Sequence, residues 1–172
     1  MVVDGRCQPV FIGGGWMGDP KRVDEVMETL KERLKVHEGL SFVGYQDTLG
    51  NWSLGYGHNL TYPIPIEAAE IILNHDIAVA VSEFYKLPLN IQRNLNNTRK
   101  RAVVEMIFNM GLPRALTFKK MFKAIETSDF DVAAAEMLDS RWAGQVGQRA
   151  VELAETMRHG TEFDVHEDDP YP

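Results

Sequence analysis

The stretch K-V-H-E-G-L-S-F-V-G-Y-Q-D-T-L-G-N-W-S-L-G-Y-G-H, residues 35–58, joins the end of one helix to a glycine-rich run of short apolar segments. Upstream, Asp19 precedes Pro20, and Val23, Val26, Met27, Leu30 and Leu34 recur at three- and four-residue steps. That spacing predicts an amphipathic helix, capped by Asp19 and ending near His37. From Phe42 to His58 the apolar stretches are short and are punctuated by Gly44, Gly50, Gly55, Gly57 and the turn-like D-T-L-G-N, which predicts a small hairpin or three-stranded sheet. Downstream, Pro63 and Pro65 open a second long helix that carries Ala68, Ala69, Ile72, Leu73, Val79 and Val81 to about Tyr85. Thr98 is expected to cap a helix ending at Gly111 and Pro113. Shorter helices follow around 115–126, 129–139 and 146–159, closed by Gly160. The expected fold class is α+β: a mostly helical lobe beside a small antiparallel β lobe at about residues 39–64.

Composition sets the outer limits. A chain of 172 residues with 44% hydrophobic residues has the length of one globular domain and buries roughly two thirds of its unfolded surface. The single cysteine, Cys7, excludes an intrachain disulfide and a cysteine metal cluster. The opening residues never form the long apolar run of a signal peptide or membrane span, so cytosolic synthesis and no stable membrane insertion are expected. Residues 1–18 read as an arm or linker, 19–161 as the folded domain, and 162–172 as an acidic, poorly ordered tail.

The net charge of −7 is unevenly placed. Five acids crowd the last eleven residues, whereas residues 93–123 carry eight Lys or Arg against the single acid Glu105. A basic surface there would attract a large anionic partner such as nucleic acid, a membrane or bacterial cell wall. The plainer alternative is the solvated face of two helices. The R-K-R at 99–101 lacks zinc ligands or an aromatic RNA-binding motif beside it, so no nucleic-acid partner is expected.

Two carboxylates in the quoted stretch suggest chemistry. Glu38 and Asp47 stand nine residues apart with a helix end and a chain reversal between them. At a helix C-terminus the macrodipole disfavours a charged carboxylate, which suits Glu38 to keep a proton as a general acid. Asp47, on a glycine-rich hairpin with backbone donors nearby, is better placed to stay ionised. Two carboxyls pushed apart in this way fit glycoside hydrolysis. Their spacing alone is equally that of a helix-end acid and a turn aspartate.

The longer pattern says more. H-E-G-L, then Y-x-D-T-x-G-x-W-S-x-G-Y-G-H, with N-H-D at 74–76, F-N-M-G at 108–111, S-R-W at 140–142 and Q-x-x-x-R-A around Arg149, resembles the phage-type lysozyme family over about residues 30–161. The resemblance implies a lysozyme-like fold with the active site in the cleft between the lobes. It implies a muramidase, an endolysin that cuts the β-1,4 bond between N-acetylmuramic acid and N-acetylglucosamine of bacterial peptidoglycan, stored in the host cytoplasm until release. By the same resemblance Glu38 is the general acid, Asp47 the carboxylate that activates or positions water, and Ser53, where Thr is common, the hydroxyl holding that water from the other side. The family's usual inversion needs the carboxyls about 6.5–9.5 Å apart.

Second-tier matches follow from the same comparison. Arg149 matches an Arg near the start of the last long helix and is expected to pair with Glu38 across the cleft. His58 and Asp76 match positions that tie the sheet lobe to the second helix, a scaffold role. Asn109, where Gln is commoner, is expected to hydrogen-bond an acetamido group, and Leu60 and Phe108 to form an apolar wall. Trp142 is expected to anchor the helical core rather than to stack on sugar. No cofactor or metal is implied, and a monomer is expected. This sequence departs from the T-even member in having only 17 residues between His58 and Asp76 and in placing His37, rather than an acid, before Glu38. A non-catalytic wall-binding or adaptor module of the same fold is the alternative, against which the intact trio of Glu38, Asp47 and Ser53 argues.

Overall fold

The computed structural model describes residues 20–161 and a short antiparallel pair near the N-terminus, β1 (Val2–Val3) with β2 (Arg6–Cys7). Side chains are described from Val26 to Thr161. The capping role of Asp19, the expected arm at 1–18 and the expected tail at 162–172 lie outside the described residues. The chain divides into two units, residues 1–71 and 72–172.

In the first unit α1 (Pro20–Glu38) runs from its N-terminal proline to the glutamate singled out above. Pro at the first helical position starts the helix without losing a needed N–H. After α1 come β3 (Ser41–Gln46), β4 (Trp52–Gly55) and β5 (His58–Asn59), an antiparallel sheet in the order β3-β4-β5. Ser41 faces Gly55, Tyr45 faces Ser53 and Gln46 faces Trp52, so four steps along β3 match two along β4 and a bulge lies between Ser41 and Tyr45. A bulge of this kind bends the strand and re-aims the residues that follow it. The register continues with Ser53 opposite Asn59 and Leu54 opposite His58. The small antiparallel sheet is thus as expected.

The helix α2 (Ile66–Phe84) starts just past Pro65, whose carbonyl accepts from Ala68 and Ala69. In the second unit follow α3 (Leu89–Asn94), α4 (Asn97–Met110), α5 (Leu112–Ala115), α6 (Lys119–Glu126), α7 (Phe130–Leu138), α8 (Arg141–Val146) and α9 (Gln148–His159). The core of this unit contains Phe84, Val103, Met106, Met121, Ile125, Met137 and Met157, all essentially fully buried. Four of these seven are methionines. A flexible thioether fills the irregular gaps that short helices crossing at varied angles leave behind.

Three details correct the sequence reading. The helix expected to be capped by Thr98 is capped by Asn96, whose Oδ1 accepts from Arg99 N at 2.9 Å; Thr98 sits inside the first turn. Asn96 has the extended backbone that a cap requires, and its carbonyl oxygen reaches the orphan N–H three residues on. The six-residue α3 was not foreseen. The helix expected over 146–159 begins at Gln148 and is separate from α8, because Gly147 takes φ 57° and ψ −125°, a conformation closed to ordinary side chains. Gly160 closes α9 as expected, its N–H bonding to Thr156 O.

Candidate active site

Glu38 is the last residue of α1 and is exposed. It lines a shallow hollow of about 330 Å³ with Gly39, Leu40, Ser41, Tyr45 and Gly55. The turn before β5 comes close: a Cβ added at Gly57 would stand 3.4 Å from Glu38 Oε2. Gly57 has φ +84°, so a residue without a side chain is required by its backbone and also leaves space beside the carboxyl.

Asp47 follows β3 directly and closes the turn to β4. Its Oδ1 accepts from Leu49 N at 2.8 Å and Asn51 N at 2.9 Å, and its Oδ2 accepts from Asn51 Nδ2 at 3.0 Å. Asp47 N in turn donates to Asn51 O and Gly50 N donates to Asp47 O, so the turn is cross-braced. The side-chain amide of Asn51, and then the backbone N–H groups of Asn51, Leu49 and Gly50, hold the Asp47 carboxyl below the ordinary aspartate value. Donors aimed at a carboxylate stabilise its charged form. The expectation that Asp47 stays ionised agrees in direction, and the D-T-L-G-N segment supplies the donors.

Ser53 lies mid-sheet on β4 and is only 5% exposed. Tyr45 and Asn59 face it from either side. Directly opposed residues in antiparallel strands share a face with Cβ atoms about 4.5–5.5 Å apart, so Tyr45, Ser53 and Asn59 form one row across the sheet. Through Tyr45 that row reaches the hollow where Glu38 sits. The Ser53 hydroxyl has no hydrogen-bond partner among the described residues.

His58 in β5 and Leu60 just after it are exposed, and Leu60 N donates to Trp52 O at 2.8 Å. The side chains of Glu38, Asp47, Ser53, His58 and Leu60 therefore all belong to the first unit. Tyr45 and Asn59 flank Ser53 without having been singled out by the sequence; the signal available was their place in an alternating strand pattern either side of Ser53.

The sequence of the phage lysozyme family matches this chain over residues 35–158. The chain belongs to that family. It is accordingly a glycoside hydrolase of the lysozyme type. Among similar proteins, a probable T4-type lysozyme 1 of Dictyostelium discoideum is 28% identical over 165 residues, covering 79% of this chain and 97% of its own. A second Dictyostelium discoideum protein, probable T4-type lysozyme 2, is 27% identical over the same shares. The endolysin of Acyrthosiphon pisum secondary endosymbiont phage 1 is 32% identical over 114 residues, 64% of this chain and 74% of its own.

The remaining family positions lie in the second unit. Asp76 is exposed on α2. Phe108, on α4, borders an apolar groove of about 550 Å³ with Leu73, Ile77, Val81 and Phe84. Asn109, next to it, borders a separate hollow of about 750 Å³ with Trp142, and its Oδ1 accepts the Trp142 indole N–H. Trp142 is 7% exposed and packs edge-on against Phe118, the core anchor expected of it. Arg149, near the start of α9, directs its Nε to Glu105 Oε1 at 2.8 Å, a partner that the sequence did not suggest. The basic stretch is not all surface charge. Arg99 is half-buried and donates to the last carbonyls of α9, whereas Lys119, Lys120 and Lys123 stay on the exposed side of α6.

Proposed function

We propose that this member of the phage lysozyme family is an endolysin, a muramidase that hydrolyses the β-1,4 bond between N-acetylmuramic acid and N-acetylglucosamine of bacterial peptidoglycan with inversion. In the proposed step Glu38 gives its proton to the bridging oxygen as the bond to the anomeric carbon breaks. A water attacks that carbon from the opposite face and passes a proton to the Asp47 side, with the Ser53 hydroxyl holding the water. Protonation and water attack of this kind need only side chains.

The observation that carries the proposal is the division of labour between the carboxyls. Asp47 is locked into a turn by donors that favour its charge, while Glu38 ends a helix beside a hollow. Ser53 supports it as well, being a hydroxyl without an internal partner at an otherwise buried position. His58, Asp76, Arg149, Leu60, Phe108 and Asn109 are proposed as supporting and substrate-binding residues on the family pattern. Among the described residues no helix is long and apolar enough to cross a membrane. We place the enzyme in the host cytoplasm until the membrane is opened, then on the wall.

Clearing of purified cell walls tests the acid. Glu38→Gln is expected to abolish clearing with an unchanged melting temperature, and equal clearing by both proteins would remove Glu38 from the mechanism. Mass spectrometry of the released muropeptides tests the water step. Reducing muramic ends are expected; anhydro ends would mean transglycosylation instead.

A further inference from the structure

Asn59 stands on β5 directly opposite Ser53, on the face shared with Tyr45. Its side-chain oxygen is fully engaged: Oδ1 accepts from Thr61 N at 2.9 Å and from Thr61 Oγ1 at 2.7 Å. A backbone N–H can only donate, so the Thr61 bond fixes which end of the amide is oxygen. The two N–H bonds of Nδ2 are left over, without a partner among the described residues, on a half-buried side chain whose rotation the turn has frozen. Asn59 therefore offers a pre-oriented pair of donors and no acceptor on the sheet face that it shares with Ser53.

We infer that Asn59 is a specificity-determining residue that binds the carbonyl oxygen of a substrate N-acetyl group. This rests on the reading of Glu38, Asp47 and Ser53 as the site of glycan hydrolysis. Among the neutral groups on an N-acetylated sugar the amide carbonyl is the strongest acceptor, and donors held in place lose no rotational freedom on meeting it. A sugar whose nitrogen is a free ammonium puts donors against donors at this point. The residue thus discriminates the acetylation state of the glycan.

The test compares peptide-free glycan strands in fully N-acetylated and de-N-acetylated forms. The variant Asn59→Asp keeps an oxygen for both Thr61 bonds and replaces the donors with an acceptor. It is expected to raise KM on acetylated strands about tenfold, the effect of one lost or opposed hydrogen bond, with kcat within about threefold. On de-N-acetylated strands its KM should fall below that of the wild type. Asn59→Ser, uncharged and still able to accept from Thr61 N, should raise KM on acetylated strands alone; it decides the matter if the Asp variant melts early. An unchanged preference in both variants overturns the inference, and so does a fall in kcat with KM unmoved. Glu38→Gln run in parallel separates the two readings. If it is active, the site itself is misassigned; if it is inactive while Asn59→Asp matches the wild type, only the role of Asn59 falls.

Discussion

The indole N–H of Trp142, in α8, donates to Asn109 Oδ1, in α4, over 2.8 Å. The bond fixes the Asn109 amide with its oxygen turned inward and its NH₂ left as a donor, the polarity suited to an acetamido carbonyl. A core residue thereby sets the presentation of an exposed one. Trp142→Phe keeps an aromatic ring against Phe118 and removes the bond, and is expected to cost about 1–2 kcal/mol. A two- to threefold rise in KM should accompany it as the amide turns freely, checked by thermal melts and glycan kinetics on the same preparation.

Arg99 joins α4 to the end of α9. Its Nε donates to Met157 O at 2.7 Å and its Nη2 to Arg158 O at 2.9 Å, and its guanidinium lies 3.6 Å over the centre of the Phe130 ring. These carbonyls belong to the orphan set at a helix C-terminus, where a cation also meets the negative dipole end. Burial lowers the Arg99 pKa from its ordinary value, but an arginine so placed keeps its charge. Arg99→Lys retains the charge and loses the fork and the flat stacking surface. It is expected to cost about 2 kcal/mol, or about 4–8 °C in melting temperature, read by calorimetry.

Asp47 gives the structure a sensitivity to acid. Its folded pKa is depressed, chiefly by the Asn51 side-chain amide and the Asn51 backbone N–H, so its stabilising contribution is present above the unfolded aspartate value and is lost as pH falls through the lower folded value. Asp47→Asn keeps one acceptor but sets its NH₂ against the Asn51 amide, so the variant should melt slightly below the wild type at neutral pH. The difference should vanish under strongly acidic conditions. Activity at neutral pH should fall by a hundredfold or more, the scale of a lost acid–base group. A pH series of melts alongside wall-clearing rates checks both parts.

Gly57 guards the space beside Glu38. Gly57→Ala introduces a Cβ at φ +84°, 3.4 Å from Glu38 Oε2. The left-handed backbone should cost about 1–2 kcal/mol, and the methyl, at ordinary contact distance from Oε2, should displace solvent beside the carboxyl and slow catalysis. Gly147→Ala, at φ +57° with open space around its Cβ position, serves as the control in the second unit. It should lower the melting temperature with activity retained.

The elements with the strongest local signals were legible in the sequence. Pro20 with the apolar steps from Val23 to Leu34 gave α1, Pro65 gave the start of α2, and the glycines between Phe42 and His58 gave the sheet. What stayed hidden has physical reasons. A six-residue helix such as α3 is too short to show a period. Asn96 and Thr98 are both good capping residues, and only the backbone angles choose between them. The break at Gly147 depends on a backbone conformation that glycine permits without requiring. In the site, Glu38, Asp47 and Ser53 stood out through family spacing, whereas Tyr45 and Asn59 flank Ser53 only once strand register is set. The bonds of Arg149 to Glu105 and of Asn109 to Trp142 join residues far apart in sequence and have no local signature.

The brace around Asp47 joins its carboxylate and backbone to backbone groups of residues 49, 50 and 51 and to the Asn51 side-chain amide. Nothing in that brace depends on the side chains of Thr48 and Leu49, and Leu49 projects 84% exposed from the tip. The loop is therefore a socket with an exchangeable face. A library varied at these two positions would change the chemistry of the tip while leaving its aspartate seated.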